Sequence, residues 1–78
     1  MTNVILFGAD WCQTCKFIKA MLDRIEGVEV QYIDVDEDVE MAAQHGVRNL
    51  PTYINDDTGD RGTGPVKNLA ELKETLGL

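Results

Sequence analysis

Val4-Ile5-Leu6-Phe7-Gly8-Ala9-Asp10-Trp11-Cys12-Gln13-Thr14-Cys15 is the stretch that decides how the chain is read. Val4 to Phe7 is a continuous apolar run, short and β-branched, of the kind that forms a strand buried on both faces, and Gly8 ends it. Such a strand belongs in the middle of a sheet. From about Cys12 to Glu26, the residues Ile18, Met21, Leu22 and Ile25 fall at i, i+3, i+4 and i+7, which is one face of a helix, and Gly27 supplies the stop. Val28, Val30 and Tyr32 then alternate with Glu29 and Gln31, marking a second strand that runs into Ile33. The result is a βαβ unit with both cysteines at its first turn.

Further along, Asp36 is expected to cap a short helix reaching about Gln44 or His45, with Glu37 and Asp38 in a first turn that the helix dipole makes favourable for acids. Gly46 ends it. Pro51 precedes a short strand, Thr52-Tyr53-Ile54, and Asp56-Asp57-Thr58-Gly59-Asp60 is a turn leading to a return strand near Arg61 to Thr63. Asn68 with Glu71 makes a capping-box-like start to a closing helix lined by Leu69, Leu72 and Leu76. The predicted order is βαβαββα, an α/β fold with a four-stranded mixed sheet flanked by three helices.

With 78 residues the chain has room for one domain, 1–78, and its 44% hydrophobic and 27% charged residues are those of an ordinary globular protein. Fourteen acidic against 7 basic residues leave a net charge of -7, which repels a phosphate backbone and an anionic membrane surface alike. Nucleic acid and membrane are therefore not expected partners, whereas basic patches on other proteins are compatible. Met1-Thr2-Asn3 brings no basic segment or signal-length apolar stretch, and no run approaches the roughly 18 apolar residues of a membrane span. A cytoplasmic monomer is the expectation.

Cys12 and Cys15 stand where a strand ends and a helix begins, and a helix N-terminus presents unpaired N–H groups and partial positive charge. A thiolate is stabilised there. Cys12, in the first exposed turn, is expected to have a lowered pKa and act as nucleophile, and Cys15, one turn inward, to wait as the resolving thiol. Attack by Cys12 on a substrate disulfide gives a mixed disulfide; Cys15 then attacks Cys12, releasing reduced substrate and leaving the Cys12–Cys15 disulfide. This chemistry needs no cofactor and no metal. Three other readings of the pair stay open on the residues alone. Zinc would need four ligands, and the one histidine, His45, lies far along the chain. A structural disulfide across so short a loop stabilises little. Inert core cysteines are the third.

Ala9-Asp10-Trp11-Cys12-Gln13-Thr14-Cys15-Lys16 resembles the active site of the thioredoxin family, in which an acidic residue and Trp precede CxxC and a Lys follows. Gly46-Val47-Arg48-Asn49-Leu50-Pro51-Thr52 resembles the family's second signature, whose proline follows a cis peptide bond and lies against the cysteines. The resemblance spans nearly the whole chain, in a length closer to glutaredoxin. It implies that Pro51 is cis and keeps a metal from bridging the thiols, that the backbone of Leu50 pairs with an extended substrate segment, and that Trp11 is exposed and packs on partners. Thr52 and Gly64 join that substrate-binding set on the same ground. Without the resemblance, Pro51 reads as a trans loop proline, Trp11 as a core aromatic, Lys16 as a solvated helix residue and His45 as a helix C-terminal residue that complements the dipole. Asp34, Asp36, Glu37 and Asp38 read as a solvated face and a cap.

Two departures stand out. Thioredoxins carry a buried aspartate six positions before the first cysteine, where this chain has Leu6. Glutaredoxins hold glutathione with a Gly-Gly and an Asp, where Thr63-Gly64-Pro65-Val66-Lys67-Asn68 keeps one glycine and no Asp. The function the resemblance implies is that of a small thioredoxin reducing protein disulfides, ribonucleotide reductase among them, with electrons from a thioredoxin-reductase-like donor or from glutathione. The alternatives are a glutathione-dependent glutaredoxin, a non-catalytic binding module of the same fold, or a metal-bridged dimer.

Overall fold

The computed structural model describes residues 1–78. The apolar run near the N-terminus is β1 (Thr2–Gly8), and it lies inside a sheet of order β2-β1-β3-β4. β2 (Val28–Asp34) runs parallel to β1 and sets Tyr32 opposite Leu6. β3 (Thr52–Asn55) runs antiparallel on the other side and sets Tyr53 opposite the same Leu6. β4 (Arg61–Thr63) closes the edge beyond β3. The parallel pair requires a crossover, which α1 (Gln13–Asp23) provides, while the antiparallel β3 and β4 need only the turn through Asp56–Asp60. α2 (Val39–Gln44) and α3 (Leu69–Thr75) complete the four-stranded mixed sheet with three helices expected from the pattern.

Alternation along β1 divides the core. Val4 and Leu6, both fully buried, pack with Ile18 and Leu22 of α1, Tyr53 of β3, and Leu72 and Leu76 at α3. Ile5 and Phe7 point the other way, where Ile54 joins them under Met41, Ala42, Val47 and Leu50. Each large aliphatic or aromatic side chain enclosed this way contributes about 1.5–3 kcal/mol. Asn55, buried at the end of β3, donates through Nδ2 to the Leu76 carbonyl at 2.8 Å and accepts from the backbone N–H groups of Asp57 and Thr58. One amide thus ties the hairpin turn to the end of α3.

Several boundaries differ from the sequence-based expectation. α1 begins at Gln13, and Cys12 is its cap. The residue capping α2 is Asp38, whose Oδ1 accepts from the Met41 N–H at 3.1 Å; Asp36 has another task, described below. The closing helix is capped as expected, with Asn68 Oδ1 accepting from the Glu71 N–H at 2.9 Å, but the Glu71 carboxylate reaches back to the N–H of Lys67, one residue before the cap. His45 caps α2 at its C-terminus, and its ring also packs on Phe7, with centroids 5.2 Å apart.

Candidate active site

β1 delivers the chain to a turn in which the Cys12 N–H donates to the Ala9 carbonyl at 3.0 Å. Cys12 then has an extended backbone, φ -94° and ψ 103°, as a helix cap requires, and its Sγ accepts the N–H of Cys15 at 3.1 Å. A sulfur here takes the place of the usual Ser or Asp oxygen. In the reduced protein the same N–H would face the Cys12 sulfur rather than that of Cys15. The two cysteines form a disulfide with Cα atoms 5.3 Å apart. Cys12 is 8% exposed and Cys15 wholly enclosed, so only the first opens to the surface.

Around Cys12 the surface is a shallow groove lined by Trp11, Val35, Val47, Arg48 and Leu50. Trp11 is 70% exposed, yet its ring is not free, because Nε1 donates to Asp36 Oδ2 at 2.9 Å. Asp36 is held in turn by its own N–H, which donates to Asp34 Oδ1 at 2.9 Å. The acids expected to form a solvated face therefore include the support of the tryptophan. On the far wall, Leu50 packs against the small cluster of Ala9, Cys12 and Cys15. The Leu50–Pro51 peptide bond is cis. Pro51 is buried, and its carbonyl accepts from the Gly64 N–H at 3.0 Å. Gly64 has φ +77°, a conformation other residues rarely adopt, and its carbonyl accepts the Tyr53 hydroxyl at 3.2 Å. Thr52 is fully buried and donates through Oγ1 to the Asn49 carbonyl at 2.6 Å.

Cys12, Trp11 and Leu50 thus meet at the groove surface, while Pro51, Thr52 and Gly64 brace the loop from within. Lys16 is exposed. Two groups near the cysteines escaped the sequence reading. The hydrogen bond of Asp36 to Trp11 carries no local signal, because it is a contact across the fold. Tyr32 shows only its alternation within β2; that it lies opposite Leu6, on the α1 side, is set by the register of β2 against β1. Burial first, then the charges of Asp34 and Asp10, push its phenol above the ordinary tyrosine value, with Lys19 opposing, so it stays protonated at neutral pH.

A dithiol that opens and closes one S–S bond at a substrate-accessible surface exchanges two electrons, and the molecule is accordingly a thiol–disulfide oxidoreductase. Its relatives narrow the class. The thioredoxin family model matches residues 1–76, and the chain belongs to the thioredoxin family. Thioredoxin of Staphylococcus saprophyticus is 34% identical over 82 residues, covering 92% of this chain and 79% of the relative. Among solved structures, a mutant thioredoxin of Halobacterium salinarum superposes with a TM-score of 0.78 at 28% identity, covering 96% of this chain and 71% of its own. Chloroplastic thioredoxin z gives 0.72 at 29% identity, covering 99% and 76%.

Proposed function

We propose that the protein is a cytoplasmic reductant of protein disulfides in which Cys12 attacks and Cys15 resolves. The observation that carries this reading is the unequal exposure of two cysteines at the head of one helix, 8% against none, with the N–H of Cys15 aimed at the sulfur of Cys12. The Cys12 thiolate attacks one sulfur of a substrate disulfide, and the other sulfur leaves as a thiolate that takes a proton from water. Cys15 then displaces the substrate from Cys12. Substrate lies in the groove between Trp11 and Leu50, where the Leu50 backbone pairs with an extended segment; Pro51, Thr52 and Gly64 hold that backbone in place. No helix is long and apolar enough to cross a membrane.

A thioredoxin-reductase-like enzyme is the proposed electron donor and ribonucleotide reductase a proposed acceptor. Insulin reduction driven by NADPH and thioredoxin reductase should proceed, and the same assay driven by glutathione and glutathione reductase should lag well behind. Activity with glutathione alone would make the protein a glutaredoxin in function, and activity with neither would remove the reductant reading. For the acceptor, Cys15→Ser protein incubated with oxidised ribonucleotide reductase should accumulate a mixed disulfide that dithiothreitol releases. No adduct would exclude that enzyme.

A further inference from the structure

Tyr32 and Cys15 meet over a glycine. A Cβ placed on Gly8 would lie 2.7 Å from the Tyr32 hydroxyl oxygen and 2.9 Å from Cys15 Cβ, both closer than side-chain atoms can approach. The bare backbone at Gly8 is therefore what lets the phenol come up beside the buried cysteine. Leu6, opposite Tyr32 in the sheet, is fully buried and apolar, so the strand beneath α1 offers Cys15 no acid. The Tyr32 hydroxyl makes no hydrogen bond to any protein group, unlike the hydroxyl of Tyr53, which donates to the carbonyls of Thr63 and Gly64. It is a donor without a protein acceptor, on a half-buried residue and close to the Cβ of the enclosed cysteine whose sulfur must become charged.

We propose that Tyr32 is a further catalytic residue of the resolving step, donating its O–H to the Cys15 sulfur as that sulfur becomes a thiolate. The proposal rests on the dithiol reading above and assigns a residue to its second half. In the mixed disulfide, the Cys15 thiol gives its proton to water, and the thiolate left behind takes the Tyr32 hydrogen bond. Cys15 Sγ then attacks Cys12 Sγ, the Cys12–substrate S–S bond breaks, and the substrate sulfur departs with the electron pair and is protonated by solvent. Two electrons have passed from the protein dithiol to the substrate, and Tyr32 ends as it began, a neutral phenol. The charged groups that act on that hydroxyl are Asp34 on its own strand, Asp10 in the turn before α1 and Lys19 on α1. The two acids favour its neutral, donating form.

Stopped-flow reaction of the reduced protein with 5,5′-dithiobis(2-nitrobenzoate) separates the two steps, because each releases one coloured thiolate. The first release depends on reagent concentration and reports Cys12; the second is unimolecular and reports Cys15. In Tyr32→Phe, which removes one oxygen that no protein group binds, the second release should slow about tenfold at pH 7 and its pH midpoint should rise by about one unit, a hydrogen bond to a charged sulfur lost. The first release should keep its rate and pH midpoint. A second release with unchanged rate, or slowed with an unmoved midpoint, would overturn the proposal, the latter by exposing a purely structural role. If the wild type itself showed no second release, the dithiol reading would fail first, and the two failures are thus told apart.

Discussion

On one side of the sheet, α1 and α3 cover Val4, Leu6 and Tyr53 with fully enclosed Leu22, Leu72 and Leu76; on the other, Ile5, Phe7 and Ile54 lie under one helix, α2, and the Val47–Leu50 loop, and no residue of α2 is fully buried. The first side is a packed core two helices wide. It packs α1 against β1, with Cys15 enclosed at its first turn. The second is too thin to close, and the space between α2, the Val47–Leu50 loop and Trp11 is left as the groove. Density on one face encloses Cys15, and sparseness on the other leaves the groove beside Cys12.

Substitutions on the two faces should therefore cost very different amounts. Leu6→Asp, which places a carboxylate in the packed side without a partner, should lower stability by about 3 kcal/mol or more in urea denaturation; an unchanged midpoint would contradict the burial of β1. Leu72→Ala should cost about 2–5 kcal/mol by leaving a cavity, whereas Met41→Ala on α2 should stay well below that range. Equal losses from the pair would erase the contrast. Asp36→Ala, on the groove side, removes one exposed hydrogen bond and should change stability by about 1 kcal/mol or less, yet free the Trp11 ring. The emission of Trp11, the sole tryptophan, should change, and KM for a protein disulfide should rise a few-fold with kcat little altered.

The smallest effect is a dependence on alkaline pH. Tyr53 is raised above the ordinary tyrosine value by burial and then by Glu71, and Tyr32 by burial and its neighbouring acids. Folding thus favours the protonated phenols. Their contribution is complete below the unfolded tyrosine value of about 10 and is lost as pH climbs through the higher folded values. Stability should hold to about pH 9 and fall above about 10, and the fall should be shallower in Tyr53→Phe.

Hydropathy alternation and local caps made most of the fold legible. Val4 to Phe7 read as a central strand because every position is apolar, and Asn68 read as a cap because Glu71 stands three residues on. The start of α2 was not legible. Asp36 and Asp38 are equally good caps by local chemistry, and the choice between them is made by Trp11, 25 residues earlier, which claims the carboxylate of Asp36. The site divides the same way. Cys12, Cys15 and Trp11 announce themselves in one motif, and Pro51 and Thr52 in another. The approach of Tyr32 to Cys15 depends on the register of β2 against β1 and on Gly8 lacking a side chain, which no single stretch contains.

The division of labour between the two sulfurs is tested most directly by competition. Reduced protein treated briefly with substoichiometric iodoacetamide at neutral pH, then digested and weighed by mass spectrometry, should carry the label on Cys12, as its exposure and its place at the head of α1 require. Label on Cys15 ahead of Cys12 would contradict the account at its centre.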